Sequence, residues 1–338
     1  VTKHEPDLWQ VQISLIINYL PYAFFLFHVQ DVYVVGAAQS EFGAFPDESY
    51  RSLFSSAFEN AVESVDRNFD RTEVDEAFIG TLGVGGRQLG LSGPAVTEYV
   101  GLNGTPSTRV ENACAASGVA LRQAVTSIRA GVSDIAVAGG VEIMTDMSGE
   151  QTRYWLGVSG ETEWERMAGT TFAGVYAQMA SAHMDEYDTT REHLSRVAAK
   201  NHGNGSKNPH AHLGFNCSLE DAMEAATIAD PLNLYDCCPT SDGASVAILA
   251  SRETAEELTD SPVRITGSGQ ASGTVGLFQR PTITGIPATT KAAEQAYEEA
   301  DVEAKDIDFA EVHDCFSIAE LMAYEDLGFC EKGEAGPY

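Results

Sequence analysis

Short apolar runs alternate with amphipathic segments along most of the chain. The first run, VYVVGAA at residues 32–38, is rich in β-branched side chains and contains a glycine near its end, which predicts a buried strand. Over residues 49–65 the apolar side chains instead recur at helical spacing, which predicts an amphipathic helix. The apolar face of this helix carries Leu53, Phe54, Ala57, Phe58 and Ala61.

The same alternation continues to about residue 250. It predicts strands at 74–83, 107–113, 133–144 and 241–251, and helices at 93–102, 116–131 and 187–202. Strands that alternate with helices are typical of an α/β layer built on a parallel or mixed sheet. Residues 145–235 are richer in helix and loop, and we interpret them as an insertion that covers the sheet like a substrate-facing lid.

A second strand–helix pattern follows the first. It predicts strands at 261–272 and 307–317 and helices at 288–302 and 318–328. The order repeats that of the first half, but it covers about 75 residues, whereas the first covers over 200. We therefore expect two halves of like architecture, with the second half incomplete.

Residues 1–31 are apolar and aromatic, unlike the rest of the chain. A signal peptide or an anchor would fit that composition. The segment, however, has no basic start, is interrupted by Pro21 and lacks a small-residue cleavage site. The chain begins with valine, and its first methionine is Met144. We therefore expect a doubtful extension, produced by a start codon assigned too far upstream, rather than a membrane segment.

The chain is strongly acidic along its whole length. It carries 50 Asp and Glu against 20 Lys and Arg, which gives a net charge of −30. Such a surface repels phosphate backbones and argues against a nucleic-acid partner. Evenly spread acidity with few lysines is typical of proteins from salt-loving cytoplasms, and an ordinary acidic enzyme is the alternative. The six irregularly spaced cysteines form no C-x-x-C pair, which favours a reducing, cytoplasmic compartment over a disulfide framework.

Cys114 lies in ENACAASG (111–118), where a predicted strand gives way to a helix. A thiol at a helix N-terminus meets free N–H groups and the positive end of the helix dipole, which stabilise a thiolate. The small neighbouring residues leave room for the backbone to approach a substrate. Both features suit a nucleophile that holds an acyl group, and a buried structural cysteine is the alternative.

The sequence HDCF (313–316) occupies the equivalent strand-to-helix turn of the second half. Side by side, His313, Asp314 and Cys315 could exchange protons or donate a hydrogen bond to an oxyanion. A core histidine beside a buried cysteine is the alternative. We expect the two turns to face each other if the halves pack together. The spacing His210-x-His212 could bind a metal, but without carboxylate or cysteine partners nearby a solvated loop is favoured.

Four motifs, taken in order, carry a resemblance to a known family. They are VENACAASG, AVAGGVEIMT, DCCPTSDGASVAIL and EVHDCFSIAELMAYEDLGF. Over roughly residues 32–338 the chain resembles the thiolases, specifically the sterol-carrier-protein type and its archaeal relatives. The resemblance implies an α/β thiolase fold of two βαβαβαββ halves in five αβαβα layers. It also implies an N-terminal domain at 32–250 with a loop domain at 145–235, and a partial C-terminal domain at 261–338.

The resemblance also implies roles for individual residues. Cys114 matches the cysteine that is acylated, and Cys315 matches the cysteine that moves the α-proton of the attacking thioester. His313 matches the residue that binds the catalytic water or oxyanion. Cys238 lies where the pantetheine of coenzyme A is held, and Tyr176 lies near the acyl pocket. The implied substrates are coenzyme A thioesters, with no bound cofactor. The implied partners are further copies in a dimer or tetramer and a small OB-fold, zinc-ribbon subunit.

One family feature is missing from the sequence. Thiolases of this type carry a Gly-His-Pro motif about 50 residues past HDCF, whose histidine activates the nucleophilic cysteine, and no such motif occurs here. We therefore expect a chain cut short at its C-terminus, with activity near background. The alternative from another class is a thiolase-like subunit kept for assembly or coenzyme A binding. A Cys–His hydrolase lacks a separate histidine suited to Cys114.

Overall fold

A six-stranded mixed sheet forms the centre of the N-terminal half. The computed structural model describes residues 29–83 and 90–338, so residues 1–28 of the expected extension lie outside the described part. The strands are β1 (Val32–Gln39), β2 (Glu76–Gly80), β3 (Ser107–Val110), β4 (Ile135–Glu142), β7 (Gly243–Ser251) and β8 (Val263–Ile265), in the spatial order β3-β2-β4-β7-β1-β8. A separate two-stranded ribbon pairs β5 (Thr227–Ala229) with β6 (Leu232–Asn233).

The ladder is parallel on one side and antiparallel on the other. Strand β2 runs parallel to β3 and to β4, whereas β7 runs antiparallel to both β4 and β1. The parallel strands β2, β3 and β4 therefore end at the same edge of the sheet. Side chains at the carboxyl ends of parallel strands lie close together, and this edge is the usual place for a ligand site in α/β folds.

The helices cover both faces of this sheet and build the lid above it. Their bounds are α1 (Tyr50–Glu63), α2 (Ser92–Tyr99), α3 (Ala116–Arg129), α4 (Gly149–Leu156), α5 (Phe172–Glu186), α6 (Arg191–Gly205), α7 (Leu219–Glu224), α8 (Arg252–Leu258), α9 (Pro287–Ala300) and α10 (Ser317–Asp326). The predicted helices at 49–65, 93–102, 116–131, 187–202, 288–302 and 318–328 are confirmed in position.

Strand β4 shows why the sheet needs helices on both faces. Its odd-numbered residues Ile135, Val137 and Val141 pack into the cluster that contains α1, while Ala136 and Ala138 pack against α3 on the opposite face. Alternate side chains of a strand point to opposite faces, so a strand that is apolar at every position must be buried on both. The apolar run at 133–144 is therefore a central strand.

A second core joins the lid to the C-terminal part of the chain. Met179 and Ala180 of α5 and Leu194 of α6 pack against Ile318 and Leu321 of α10. All five side chains are buried, with exposed fractions of at most 2%. The lid helices therefore share their core with the helix that follows HDCF, and this packing fixes HDCF relative to the lid.

Two predicted strands of the second half differ from expectation. In the segment 261–272 only β8 forms a strand, and it extends the first sheet by pairing with β1. Beyond it the backbone packs closely on α9, since a Cβ at Gly269 would lie 1.8 Å from the Ala292 carbonyl oxygen. The amides of Ser268 and Gln270 donate to side chains of α9 instead of to a ladder.

The strand predicted at 307–317 is wrong. Over the described residues this segment has no ladder partner apart from a single antiparallel bridge between Phe316 and Cys237, and the Phe309 side chain is 83% exposed. An apolar run becomes a strand only when a neighbour takes up its amides and carbonyls. The helix that follows, α10, forms as predicted because it buries its apolar face on the lid.

No helix in the described ranges is both long and apolar enough to cross a membrane.

Candidate active site

The turn that carries Cys114 joins β3 to α3. A short 3₁₀ turn over Ala113–Ala115 runs into the first turn of the helix, and Ala113 adopts a left-handed backbone with φ of 48°. The Ala113 amide donates to the Glu111 carboxylate at 2.7 Å, which holds the turn. A left-handed backbone costs a non-glycine residue about 1–2 kcal/mol, so the surrounding packing must maintain it. The turn leaves the Cys114 side chain facing outward.

Two glycines of the sheet allow this turn to sit directly on the strands. A Cβ at Gly140 of β4 would lie 1.9 Å from the Ser117 hydroxyl oxygen, and one at Gly80 of β2 would lie 2.6 Å from the Ser117 amide nitrogen. Real Cβ atoms do not approach so closely, so both positions need glycine. The height of Cys114 above the sheet therefore depends on these two residues.

A carboxylate lies under the thiol at the end of β4. The Glu142 side chain accepts hydrogen bonds from the Tyr50 hydroxyl at 2.8 Å, the Leu82 amide at 2.8 Å and the Gly83 amide at 3.1 Å. Burial raises the pKa of Glu142, although these donors oppose the rise. Our sequence reasoning did not identify this residue, and the available signal was an acid at the end of an otherwise apolar strand.

The second turn, HDCF, is held by the segment that contains Cys237 and Cys238. Cys237 forms an antiparallel bridge with Phe316, and the Cys238 amide donates to the Cys315 carbonyl at 3.1 Å. The Ser317 hydroxyl donates to Asp236 at 2.9 Å on the same side. In an antiparallel pair directly opposite residues point to the same face, so Cys238 and Cys315 are neighbours.

Tyr176 of α5 contacts Cys315 from the lid. Its ring stacks on Phe316 with the ring centroids 4.5 Å apart, and its hydroxyl hydrogen-bonds the Cys315 thiol. The pKa of Cys315 is raised to about 12, chiefly by burial, while the Tyr176 hydroxyl opposes the rise and the nearby Cys238 and Cys114 thiols add to it. The three thiols and the tyrosine therefore form one cluster.

A cavity of about 630 Å³ opens between the two turns. Cys114, Cys238 and His313 line it together with Glu142, so the Cys114 turn and the HDCF turn face each other here as predicted. Cys315 is half-buried beside Cys238, and its thiol bonds Tyr176 rather than lining the cavity wall. Cavities of this size hold small-molecule ligands, and this one gathers the nucleophilic side chains.

The HDCF turn is also fixed to α6 through a polar network. The Asn201 side-chain amide donates to Asp314 at 2.7 Å and to the buried Glu320 carboxylate at 2.6 Å, while Lys200 pairs with Glu320 at 2.6 Å. His313 itself is exposed on the cavity wall. The network fixes Asp314 and the helix that follows, next to His313.

Of the His210-x-His212 motif, His212 lines the cavity and His210 does not. Nδ1 of His212 shares a hydrogen bond with the Ser241 hydroxyl at 2.8 Å, and both residues line the cavity. In the part of the chain that the structure describes, no group of three His, Cys, Asp or Glu side chains is placed to hold a metal ion.

The environment of Cys114 differs from the sequence expectation in one respect. Burial raises the pKa of this thiol above its ordinary value, and the negative Glu142 beneath it raises the pKa further. The stabilisation expected from the helix N-terminus is therefore outweighed. A raised pKa favours the protonated thiol, so any reaction of Cys114 as a nucleophile would require a group that removes its proton.

Comparison with known proteins gives the family. A model described as "Thiolase, N-terminal domain" matches residues 32–253, and one described as "Thiolase C-terminal domain-like" matches residues 269–338. The chain belongs to the thiolase family. The relatives that match this thiolase include an acetyl-CoA acetyltransferase of Methanothermobacter thermautotrophicus, 43% identical over 310 residues that cover 91% of this chain and 80% of the relative. Human sterol carrier protein 2 is 31% identical over 90% of the chain and 57% of its own length.

Solved structures confirm the thiolase fold. The Ltp2-ChsH2(DUF35) aldolase superposes with a TM-score of 0.78 and 26% identity, covering 91% of this chain and 79% of that one. Human mitochondrial 3-ketoacyl-CoA thiolase superposes with a TM-score of 0.69 at 18% identity, over 89% of this chain and 83% of that one. The fold and the sequence motifs therefore both identify this chain as an enzyme of the thiolase family.

Proposed function

We propose that this thiolase transfers acyl groups between coenzyme A thioesters through an acyl-Cys114 intermediate. The observation that carries the proposal is the cluster of Cys114, Cys238 and Cys315 where the Cys114 turn and the HDCF turn meet beside one cavity. The archaeal relatives named acetyl-CoA acetyltransferase support the same reaction. It runs either as a Claisen condensation or as thiolysis of a 3-oxoacyl-CoA.

In the thiolytic direction the Cys114 thiol first gives its proton to a base from the solvent, which returns a proton when the sulfur is released at the end of the cycle. The Cys114 sulfur attacks the 3-oxo carbon of the substrate. The bond between C2 and C3 then breaks, and the electron pair leaves as the enolate of acetyl-CoA. Cys315 gives this enolate a proton, and the shortened acyl group remains on Cys114 as a thioester. Free coenzyme A attacks that thioester, its thiol proton is taken up by Cys315, and the Cys114 sulfur is released.

The other residues of the cluster have supporting roles in this scheme. His313 stabilises the oxyanion that forms at the thioester carbonyl, where one lost donor typically costs about 10²–10³ in rate. Tyr176 holds the Cys315 thiol through its hydroxyl. Cys238 contacts the pantetheine arm of the substrate from the cavity wall. Coenzyme A thioesters are substrates here, and the scheme uses no bound cofactor.

For the assembly we propose a homodimer or tetramer in the cytoplasm of a salt-adapted archaeon. The archaeal origin of the two acetyltransferase relatives and the net charge of −30 support this setting. A small OB-fold, zinc-ribbon subunit is the proposed partner. The similar Ltp2-ChsH2(DUF35) aldolase, which carries a DUF35 component, supports a partner subunit.

A second candidate function is a subunit for assembly or coenzyme A binding without turnover. Burial and the negative charge of Glu142 raise the pKa of the Cys114 thiol, which makes this thiol a poorer nucleophile and favours the candidate. This candidate keeps the cavity and its thioester affinity but has no acyl transfer.

The two candidates are separated by a thiolysis assay. The purified chain is incubated with acetoacetyl-CoA and coenzyme A, and acetyl-CoA is measured. Under the catalytic proposal, acetyl-CoA forms, Cys114→Ser loses at least about 10³-fold in rate, and Cys330→Ser, a half-buried cysteine outside the cluster, does not. Tight thioester binding without acetyl-CoA formation would establish the subunit role instead.

A further inference from the structure

A second cavity of about 580 Å³ adjoins the thiol cluster on the lid side. Leu156 at the end of α4 lines both cavities, and Tyr176 stands between the second cavity and Cys315. The Tyr176 hydroxyl bonds Cys315, while its side chain forms part of the second cavity's wall. A group attached to the reacting carbons at the thiols can therefore extend past Tyr176 into this space.

Much of the wall of this cavity is apolar. The apolar lining comes from Phe172, Val175 and Met179 of α5, Ile228 of the ribbon and Leu277 before α9. Met179 and Leu277 are buried members of the core that joins the lid to the C-terminal part. Apolar side chains of this kind suit the methylene groups of an acyl chain.

Three arginines interrupt the apolar lining. Arg153, Arg166 and Arg280 line this one cavity in a chain that has 20 basic residues against 50 acidic ones. None of the three forms an ion pair within the described residues, whereas arginines elsewhere, such as Arg67 and Arg191, pair with aspartates.

The contacts that the three arginines do make leave their charge uncompensated. Arg166 lies 4.3 Å above the Tyr154 ring, and Arg280 donates through Nε to the Thr274 carbonyl at 3.2 Å. The acid on the described wall is Glu165, whose carboxylate accepts the Leu277 amide. One carboxylate against three guanidinium groups gives the cavity a positive excess inside a strongly negative protein.

We propose that this second cavity takes the acyl chain of the substrate and that Arg280, with Arg153 and Arg166, binds a carboxylate at the far end of that chain. The substrate class is then a 3-oxoacyl-CoA that carries a second carboxylate. Guanidinium groups bind carboxylates through paired, charge-assisted hydrogen bonds, which are stronger in a partly buried site. The proposal rests on the acyl-transfer function proposed above, because that function places the acyl carbon at Cys114.

The experiment compares matched thioesters. Straight-chain acyl-CoA compounds of four, six and eight carbons, each with and without a terminal carboxylate, are titrated into the full chain by calorimetry. At the best chain length the carboxylated thioester binds about tenfold or more tightly than its neutral counterpart, as expected for hydrogen bonds between charged groups. Equal affinities at every length, or tighter binding of the neutral compounds, would overturn the proposal.

Variants assign the preference to the arginine. Arg280→Gln reduces the preference for the carboxylated thioester about tenfold and leaves the affinity for the neutral thioester unchanged. Arg280→Lys retains part of the preference. The exposed control Arg196→Gln retains all of it. A loss of affinity for free coenzyme A in Arg280→Gln would show that the arginines bind its phosphates instead, which contradicts the proposal.

The experiments distinguish failure of the proposed acyl-transfer function from failure of the carboxylate-binding proposal. The titrations need no turnover, so a carboxylate preference without any acyl transfer would leave the binding proposal intact and remove the catalytic one. Turnover of neutral and carboxylated 3-oxoacyl-CoA with equal kcat/KM would remove only the binding proposal.

Discussion

Glu142 limits the ionisation of Cys114. The carboxylate is buried at the end of β4 and held by the Tyr50 hydroxyl and the amides of the segment after β2, and its charge raises the pKa of the thiol above it. The negative charge of Glu142 favours the protonated form of the Cys114 thiol until a base takes up the proton. At the scale of single residues, Glu142 therefore affects the pH at which Cys114 forms a reactive thiolate.

Replacing Glu142 by Gln therefore lowers the pKa of Cys114, because the negative charge is removed while one hydrogen-bond acceptor remains. The rate of alkylation of Cys114 by iodoacetamide, followed by peptide mass spectrometry, rises with pH in the parent protein and has its midpoint above the usual thiol value of about 8.5. In Glu142→Gln that midpoint moves to lower pH, and in the exposed control Glu63→Gln it does not. An unmoved or raised midpoint would show that Glu142 does not act on the thiol.

Residue-scale reasoning from the sequence predicted the two reactive turns but not this acid. Cys114 lies between β3 and α3, and HDCF lies directly before α10, so the local patterns that predicted the two helices were enough to place both turns. Glu142 acts through partners about 60 and 90 positions away in the chain, at Leu82 and Tyr50. No local pattern contains such a constellation, because only the parallel pairing of β2 with β4 creates it.

At the scale of elements, α3 is positioned by the glycines beneath its first turn. A methyl group at Gly140 would overlap the Ser117 hydroxyl and lie 3.1 Å from both the Ser117 Cβ and the Gly80 carbonyl oxygen, so in the Gly140→Ala variant the hydroxyl must rotate and the helix or the strands must shift slightly. Overpacking of this kind costs about 1–3 kcal/mol in the free energy of unfolding. We expect the turn to shift and Cys114 to react with acyl thioesters more slowly.

Gly118 provides the matched control for that variant. It lies in the first turn of the same helix, and a Cβ there would have no neighbour within 4 Å. Gly118→Ala should stabilise the protein by up to about 1 kcal/mol, since alanine favours helix over glycine. Urea denaturation of both variants checks the pair, and equal effects of the two would refute the role of Gly140.

Asp242 ties two loop segments to the start of β7. Its buried carboxylate accepts the amides of Phe45 at 3.0 Å, Met144 at 2.7 Å and Thr145 at 2.9 Å, and these bonds lower its pKa although burial opposes them. Asp242→Asn replaces one acceptor by a donor that faces amides. We expect it to cost about 3 kcal/mol at pH 7.

The pH dependence of this effect has a definite sign. Because the folded-state pKa of Asp242 is lowered, its stabilisation is complete above the unfolded value of about 3.9 and is lost as the pH falls through the folded value. Urea denaturation at pH 7 and at pH 3 should therefore show a smaller difference between parent and variant in acid. A difference that grows in acid would contradict this assignment.

At the scale of elements, the predicted strands and helices form where they pack on neighbouring elements of the same half of the chain. The central strand at 133–144 and the helix at 116–131 form as expected because they bury apolar faces on each other. The segment 307–317 has the same strand-like composition, yet no described strand lies beside it. Such a sequence is compatible with a strand, but the strand forms only where a neighbouring strand can pair with it.

At the scale of the whole molecule, the net charge of −30 opposes folding through self-repulsion. Raising the NaCl concentration from 0.1 M to 1 M shortens the Debye length from about 10 Å to about 3 Å and screens that repulsion. We expect the Tm to rise by several degrees over this range. Scanning calorimetry checks it, and a Tm that is constant or falls with salt would contradict adaptation to a salt-rich interior.

The family and the fold class were predictable from motifs spread over the whole molecule, and the comparisons confirm both. The core shared by the lid and α10 was not predictable. It brings together residues such as Met179 and Ile318, which lie far apart in the sequence, and contacts of this kind produce no local hydrophobic pattern. The same core places Tyr176 against Cys315, and so it also completes the thiol cluster.

The central claim, that Cys114 carries the acyl group, is tested most directly by mass spectrometry of the protein after incubation with acetyl-CoA over a range of alkaline pH. The account predicts a single acetyl adduct that maps to Cys114, increases with pH as the thiolate forms, and is absent in Cys114→Ser. Acetylation of another cysteine in place of Cys114, or no adduct at any pH while acetyl-CoA binds, would contradict it.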